Sequence, residues 1–409
     1  MCSNLDTDIP VALSKIKLDQ LQFCKRCQGK PFVVIQRKDV FCRDCFYEYG
    51  SHKFRSTIGK TRKVKPGDRI LVAFSGGAGS SAMLDMIEDG LNKSANHKKL
   101  MFSPTILYIR ELNYANESDA IITQKTHKIV ERLKKSCLSS MISSMEMIYQ
   151  DKEKPTFVDL GDFDPLDKDC PIINDKAQSK FWSKINSLST DTSKEDFLRI
   201  SRQQLIQKVA TAGNFKYIFV GNTCTKTAIQ MLTDLAQGKG SQITSEHSFT
   251  DSRFNVEILK PMREFIKKEV LFWNILRGTE PVEWSTITTF KSNKASLMKL
   301  TESYINGLEH DFPATVYTIF KTGNKLKFPD PNGVICKLCK SVIDPEQRCS
   351  ASNALQLSHQ LSKNLDDVFI NDGSDRILCY SCNNLVNEIK IDSTVSPQKL
   401  GIADYLLYD

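Results

Sequence analysis

The sequence RILVAFSGGAGSSAMLDM, residues 69–86, joins an apolar run to a helix-like pattern through a glycine turn. Backbone N–H groups at a strand-to-helix turn form an anion site, and glycine lets a phosphate approach closely. Ser75, Gly76, Gly77 and Ser80 are therefore candidate phosphate contacts. The turn lacks the spacing and lysine of a Walker loop and the third glycine of a dinucleotide fingerprint, so the turn alone does not identify a nucleotide site.

Outward from this stretch, β-type and helix-type segments alternate between about residues 68 and 280. Strands are predicted at 69–74, 105–110, 145–150, 217–220 and 256–259. Helices are predicted at 80–91, about 118–135, 194–212, 225–237 and 263–276. Such alternation predicts an α/β fold with a doubly wound parallel sheet.

The composition is that of a folded protein. The chain has 409 residues, of which 40% are hydrophobic and 25% charged, and its length predicts two to three domains. It has no apolar run of the ~18 residues that a membrane span needs, and its first residues do not form a signal-peptide pattern. We therefore expect a cytoplasmic protein without a membrane partner. The net charge of +8 is compatible with binding to nucleic acid.

Six regions are predicted along the chain. They are a flexible arm at 1–20, a four-cysteine zinc module at 21–50, a basic joint at 51–67, the α/β domain at 68–280, a helical segment at 281–330, and a C-terminal cysteine module with its tail at 331–409. Within the α/β domain, a stretch rich in Asp and Pro predicts an acidic surface excursion at about 151–190.

Eight of the thirteen cysteines form four C-x-x-C pairs. The first set is Cys24, Cys27, Cys42 and Cys45, whose 14-residue spacer can fold as a short hairpin. The second set is Cys336, Cys339, Cys379 and Cys382, whose 39-residue spacer contains Cys349 and His359 as spare ligands. Four thiolates at this spacing favour structural zinc, at one or two sites. The alternative is a redox pair or unrelated buried thiols.

The remaining cysteines, Cys2, Cys137, Cys170, Cys224 and Cys349, stand alone. Cys224 follows the YIFVG strand and precedes a helix, a position that a catalytic thiol could use. The simpler interpretation is a small, half-buried residue.

The basic joint has six cations and no acid between residues 52 and 65. These candidate RNA contacts are Lys53, Arg55, Lys60, Arg62, Lys63 and Lys65. They could neutralise several phosphates, and Tyr49 and Phe54 could stack on a base or simply pack. The alternative is a solvated linker.

The glycine turn resembles the PP-loop of the ATP-pyrophosphatase superfamily, S-G-G-x-D-S. The run CKRCQGKPFVVIQRKDVFCRDCFYEYGSHKFRSTIGK, directly upstream, closely resembles the cytoplasmic tRNA 2-thiolation protein 2 family. That family is the second subunit of the eukaryotic wobble-uridine thiolase. The resemblance covers the whole chain in order, and implies a PP-loop type of sheet at 68–280, flanked by zinc-binding cysteine modules.

The departures from active PP-loop thiolases imply a degenerate site. Ala78 and Gly79 stand where active relatives are expected to place Lys and Asp. The run KEDFLRISR, residues 194–202, replaces C-x-x-C-G-x-x-R-R, so that Lys194 and Phe197 take the cysteine positions and only Arg202 remains. GNTCTK, residues 221–226, replaces G-H-N-x-D-D. The resemblance therefore implies a loop remnant and no catalytic residue in this chain.

The resemblance also implies a heterodimer with a catalytic PP-loop thiolase subunit. The pair would 2-thiolate the wobble uridine of tRNAs for Lys, Glu and Gln, with sulfur from a thiocarboxylated ubiquitin-related modifier that this chain contacts directly or indirectly. ATP would be used by the partner, and ATP binding by this chain stays open. This chain would add tRNA-binding surface and stability. The alternatives are a divergent active PP-loop tRNA sulfurtransferase that uses Cys224 or another thiol, and a zinc-ribbon RNA-binding adaptor outside thiolation.

Overall fold

The computed structural model describes residues 23–36, 38–93, 99–150, 156–162, 174–326, 333–343 and 378–388. The predicted arm at 1–20, the residues Cys2, Cys170, Cys349 and His359, and the tail after residue 388 lie outside the described residues. Within the described ranges, no helix combines the length and the apolar character that a membrane crossing requires.

The centre of the structure is a seven-stranded sheet with the order β6-β5-β4-β3-β7-β9-β8. Its strands are β3 (Arg69–Phe74), β4 (Ser103–Arg110), β5 (Ser139–Ser144), β6 (Val158–Asp159), β7 (Tyr217–Val220), β8 (Thr250–Asp251) and β9 (Glu257–Leu259). The five inner strands run parallel, and the two edge strands pair antiparallel with their neighbours. A second, two-stranded sheet pairs β1 (Val33–Ile35) with β2 (Asp39–Phe41).

Helices cover both faces of the large sheet. They are α1 (Arg43–Gly59), α2 (Ala78–Leu91), α3 (Asp119–Lys134), α4 (Asp175–Ser187), α5 (Asp191–Ala212), α6 (Cys224–Ala236), α7 (Ile243–His247), α8 (Lys267–Arg277), α9 (Leu297–Asp311), α10 (Thr315–Gly323) and α11 (Tyr380–Asn387). The five predicted helices correspond to α2, α3, α5, α6 and α8, with shifted ends.

Alternation along β3 creates the two cores. Leu71 belongs to one hydrophobic cluster, together with residues of α3, α4 and α5. Its neighbours Ile70 and Val72 belong to the other, together with residues of α1, α6 and α8. Because successive side chains of a strand point to opposite faces, a wholly apolar strand must be buried on both sides. The prediction of a doubly wound α/β fold is confirmed.

The strand predicted at 145–150 is wrong. The preceding serine-rich segment, β5, pairs with β4, and Met145–Tyr149 forms a buried 3₁₀ helix. Ser143 and Ser144 are fully buried, and the Ser143 hydroxyl donates to the backbone carbonyl of Thr156 at 2.5 Å. A hydroxyl that finds such a partner lets a polar-looking segment occupy the sheet.

The predicted acidic excursion at about 151–190 returns to the sheet. Val158 pairs with β5 as part of the edge strand β6, and Phe181 of α4 is fully buried in the core. Residues 151–155 and 163–173 lie outside the described part of the chain. This region is therefore built into the α/β domain over the parts that the structure describes.

The first cysteine set opens a small module that continues into the central domain. Its spacer forms the predicted hairpin, β1 with β2. The helix α1 then begins at Arg43 and runs through most of the predicted basic joint. Phe54 and Ile58 on this helix are buried against the sheet domain. This part of the joint is thus packed structure and not a solvated linker.

Candidate functional site

A cleft of about 320 Å³ opens at the carboxyl ends of β3, β4 and β7. The glycine turn after β3 forms one wall, and the turn after β7 forms another. Residues of α5 and α8 complete the lining. The carboxyl edge of a parallel sheet is the usual position of a ligand site in open α/β folds, so this cleft is the candidate functional site.

The glycine turn keeps the shape of a phosphate loop. Gly76 has a φ of +81°, which favours glycine, and its carbonyl accepts the Val282 N–H at 2.8 Å. The Ser80 hydroxyl lies 3.1 Å from the Ser75 hydroxyl and donates to the Gly77 carbonyl at 3.0 Å. The structure thus brings the four predicted loop residues together. The hydroxyls of Ser75 and Ser80 form their hydrogen bonds within the loop.

The turn after β7 packs directly on this loop through two glycines. A Cβ atom at position 79 would lie 2.5 Å from the carbonyl oxygen of Gly221, far inside a normal contact. A Cβ atom at position 221 would lie 2.8 Å from the Cα and N of Ser80. Because the obstacles are backbone atoms, no rotamer can relieve them. Position 79 therefore has no room for the carboxylate that active relatives are expected to carry there.

Among the residues that the structure describes, three cations and two acids line the cleft. Arg202 donates to Glu111 at 2.8 Å, so these two charges neutralise each other. Lys226 and Lys267 are exposed, and neither forms an ion pair within the described ranges. Glu283 is the second acid.

The sequence interpretation named neither Glu111 nor Lys267. Both follow strands: Glu111 comes directly after β4, and Lys267 begins the helix that follows β9. Their position at the carboxyl ends of two parallel strands was the available signal.

Neither the residues at the cysteine positions of active relatives nor Cys224 supplies a nucleophile, and Lys194 at the first of these positions has no thiol. Phe197, at a cysteine position of active relatives, is buried and packs against Phe181 with ring centroids 5.7 Å apart. Cys224 is fully buried, and this burial raises its pKa to about 12. No cysteine is among the described residues that line the cleft. A thiolate-held cluster therefore has no ligands there.

Each cysteine set converges on one point. In each set the four sulfurs lie within 4.8 Å of one another. The Sγ atoms of Cys27 and Cys42 are 3.4 Å apart, and those of Cys339 and Cys379 are 3.7 Å apart. Tetrahedral zinc with bonds of about 2.3 Å needs sulfurs about 3.8 Å apart, so both donor sets fit it. A bound zinc would supply cross-linking and no catalysis, since all four positions are filled by protein.

A third group of potential metal ligands consists of Asp234, Glu246 and His247, whose ligand atoms also lie within 4.8 Å of one another. Arg199 donates to Glu246 at 2.6 Å and to Asp234 at 3.1 Å. Lys239 lies 3.7 Å from the Asp234 carboxylate. Two cations already balance these acids, so the group is an internal ion network and not a metal site.

The predicted RNA contacts of the basic joint have different surroundings. Lys53 has a side chain only 12% exposed and contacts the buried Glu269 at 2.8 Å. Lys53 is thus a structural cation, and its interpretation as an RNA contact does not fit. Lys60 and Lys63 pair with Glu264 and Glu257, at 3.2 and 2.7 Å.

Arg55, Arg62 and Lys65 have no ion pair among the described residues, and Arg62 and Lys65 are exposed. Arg62 and Lys65 lie between α1 and β3, where the neighbouring Lys63 pairs with the first residue of β9, Glu257; this places them at the amino edge of the sheet. The cleft is at the opposite edge. Tyr49 and Phe54 pack inside the protein: Phe54 is buried, and Tyr49 stacks on Phe41 with centroids 5.0 Å apart.

Comparison with known proteins agrees with this geometry. A family model described as Cytoplasmic tRNA 2-thiolation protein 2 matches residues 296–384. The chain is 30% identical to Cytoplasmic tRNA 2-thiolation protein 2-A of Xenopus laevis, over 84% of this chain and 77% of the relative. It is 29% identical to Cytoplasmic tRNA 2-thiolation protein 2 of Homo sapiens, over 84% of this chain and 76% of the relative.

Among solved structures, the chain resembles the U34-tRNA thiolase NcsA from Methanococcus maripaludis, which was solved with its 4Fe-4S cluster. The TM-score is 0.52 at 15% identity, over 78% of this chain and 92% of NcsA, so the likeness concerns the fold. The family model and the relatives of about 30% identity show that the chain belongs to the cytoplasmic tRNA 2-thiolation protein 2 family and has a role in tRNA 2-thiolation.

Proposed function

We propose that this chain is the non-catalytic subunit of a cytoplasmic heterodimer that 2-thiolates the wobble uridine of tRNAs for Lys, Glu and Gln. The partner is a catalytic PP-loop thiolase, which uses ATP to adenylate the C2 carbonyl oxygen of the uridine. A thiocarboxylated ubiquitin-related modifier supplies the sulfur that replaces this oxygen. The present chain contributes tRNA-binding surface and stability to the complex.

The contact between Gly79 and Gly221 is the main support for a non-catalytic role. Adenylation develops charge on phosphate oxygens, which active sites stabilise with a metal held by carboxylates and with a lysine. A side chain at position 79 would clash with the backbone, because its Cβ would lie 2.5 Å from the Gly221 carbonyl oxygen. Ala78 supplies no charge either. The internal hydrogen bonds of Ser75 and Ser80 support a structural remnant of a phosphate loop.

The surroundings of the thiols support the same proposal. Sulfur transfer through a cysteine needs a thiolate that can reach the substrate. Cys224 has no exposed surface, and burial raises its pKa to about 12. A divergent enzyme that uses Cys224 is therefore disfavoured. In this proposal the two cysteine sets hold structural zinc.

The first experiment places the chain in the pathway. Cells depleted of this chain should lose 2-thiolated tRNA, measured by retardation in a mercury-containing gel. The wild-type gene should restore the retarded band. Unchanged thiolation after depletion would contradict the proposal.

The second experiment tests the catalytic share. Cys224→Ala should restore thiolation as fully as the wild type at equal protein level, since the thiol has no chemical role. The purified chain alone should not adenylate tRNA with ATP. Adenylation by the chain alone, or loss of thiolation with a well-folded Cys224→Ala protein, would show that the subunit is catalytic.

A further inference from the structure

The first turn of α8 carries an unusual charge arrangement. Lys267 and Lys268 are its first two residues, both are exposed, and neither forms an ion pair within the described ranges. Cations at a helix N-terminus oppose the helix dipole. The next residue, the buried Glu269, complements the dipole and forms an ion pair with the half-buried Lys53. The two lysines thus do not serve the stability of this helix.

Aromatic rings connect this turn to the N-terminal cysteine module. The Lys268 Nζ lies 5.9 Å from the ring centroid of Phe272, one turn further along α8. Phe272 packs edge-on against Phe32, with centroids 5.6 Å apart. The guanidinium carbon of Arg43 lies 5.0 Å from the Phe32 centroid. Arg43 is exposed and has no ion pair among the described residues.

The other side of the turn opens into the cleft. Lys267 lines the cleft beside Leu271, whose side chain is 41% exposed, and Lys226 lies in the same lining.

These residues and those beside the cysteine module form one surface, which we call the basic face. It consists of four cations and three apolar residues: Arg43, Lys226, Lys267, Lys268, Phe32, Phe272 and Leu271. Glu283, Glu302 and Glu309 are nearby acids, but none forms an ion pair with these cations.

We infer that the basic face binds the backbone of an unpaired tRNA segment and leads it to the cleft. The inference rests on the proposed function and names the surface that serves it. Unpaired cations attract phosphates, and this attraction carries the inference. Phe32 and Phe272 are half-buried beside the cations, and their accessible edges add apolar contact for a base. The cleft of about 320 Å³ is at the lower end of the size range of small-molecule sites, which suits one base. The core of a protein interface is typically poor in lysine, which favours RNA over a protein as occupant.

The test compares two double variants of the full chain. Lys267→Gln with Lys268→Gln removes two cations of the basic face. Arg62→Gln with Lys65→Gln removes two exposed, unpaired cations at the opposite edge of the sheet, which are the rival RNA contacts that the basic joint predicted from the sequence. Binding to an anticodon stem-loop RNA is titrated by fluorescence anisotropy at several salt concentrations. The plot of log affinity against log salt should become shallower by about two for the first variant, about one per phosphate contact, and keep its slope for the second.

Three results would overturn the inference. They are equal slopes in all proteins, a loss confined to the Arg62 and Lys65 variant, and the absence of salt-dependent binding by the wild type. A variant of Lys267 and Lys268 that keeps its RNA affinity but no longer co-purifies with a thiolase subunit would assign the face to a protein partner instead.

Folding and pathway are controlled separately. The melting temperature of the Lys267 and Lys268 variant should stay unchanged or rise slightly, because it loses two cations that oppose a helix dipole. The proposed function is judged by wild-type rescue of thiolation in depleted cells. If rescue succeeds while the basic-face variant binds RNA and thiolates normally, the inference alone fails.

Discussion

At the scale of the residue, position 79 decides what the cleft can do. Gly79 and Gly221 touch backbone to backbone, so the loops after β3 and β7 lie closer together than any side chain permits. We expect Gly79→Ala to lower the free energy of unfolding by about 1–3 kcal/mol, because the added methyl forces two backbones apart. Urea unfolding followed by circular dichroism measures this loss.

Gly77→Ala is the matched control two residues earlier in the same loop. A Cβ atom at position 77 would meet only the Ser75 hydroxyl, at 3.7 Å, and Gly77 has a φ of −68° that alanine adopts readily. Its expected cost is about 0.5–1 kcal/mol, because alanine is a poorer N-cap residue than glycine but meets no steric obstacle here. Equal stabilities of the two variants would contradict the close approach of Gly79 to Gly221.

At the scale of the element, α5 and the segment after α6 are joined by a buried ion network. Lys239 is 2% exposed and contacts Asp196 of α5 at 2.6 Å. Lys239→Met would leave Asp196 buried with one cation fewer, and we expect a loss of about 3 kcal/mol in the free energy of unfolding. This measurement also uses urea unfolding.

Lys216→Met is the comparison for that loss. Lys216 contacts Asp68 at 2.8 Å, but its side chain is 46% exposed. An exposed pair contributes about 1 kcal/mol at most, since water and salt screen it. A loss at Lys239 no larger than the loss at Lys216 would mean that burial does not strengthen the network.

The same network predicts how stability depends on acid. Burial alone would raise the pKa of Asp196, but Lys239 and then Arg199 hold it below its usual range. A carboxyl with a lowered pKa stabilises the fold fully above its ordinary pKa of about 4, and loses this contribution as the pH falls through the lowered value. We therefore expect the melting temperature to change little between about pH 7 and 5 and to fall below about pH 4.

In Lys239→Met the acid-induced fall should begin at a higher pH, because the pKa of Asp196 returns toward its usual value. Melting temperatures of both proteins over the pH series check this. Both proteins contain the same cysteine sets, so proton uptake by these thiols cancels when one melting profile is subtracted from the other. Superimposable profiles would contradict the assignment of Lys239 as the partner that lowers this pKa.

The elements that the sequence predicted share a simple physical cause. β3 has an unbroken apolar run, and its glycine turn permits the sharp entry into α2, so neither depends on distant residues. β5 was missed because its buried serines have hydrogen-bonded hydroxyls, as Ser143 has to the Thr156 carbonyl. The periodicity of hydrophobic residues does not detect a strand whose buried residues are serines with hydrogen-bonded hydroxyls.

The candidate site was predictable in its loop and not in its charges. The serines and glycines of the loop are contiguous in sequence. The Lys53–Glu269 pair joins residues 216 positions apart, so the sequence showed a basic stretch where the structure has a neutralised one. Likewise, Lys226 and Lys267 share the cleft only because β7 and β9 are neighbours in the sheet.

At the scale of the whole molecule, the C-terminal cysteine set is docked on the α/β domain. Gln204 of α5 donates to the Leu338 carbonyl at 3.2 Å, and Arg253 donates to the Ser341 hydroxyl at 2.9 Å. The Ser189 and Thr190 hydroxyls, which precede α5, both donate to Glu388 at 3.0 Å. The cysteines Cys336, Cys339, Cys379 and Cys382 belong to the same hydrophobic cluster as Leu71 of β3.

This docking predicts that metal at the C-terminus stabilises the central domain. Cys382→Ser should lower the zinc content by one equivalent per chain, measured by atomic absorption, and should lower the melting temperature of the main transition. The physical reason is that metal binding energy becomes folding energy where the ligands are part of a shared core. Cys137→Ser, at an exposed lone thiol, is the control and should change neither quantity. If Cys382→Ser lost its zinc but kept the main transition, the cysteine set would be an independent appendage, and the buried contact of Leu338 and the exposed hydrogen bonds of Glu388 would contribute nothing to the stability of the sheet.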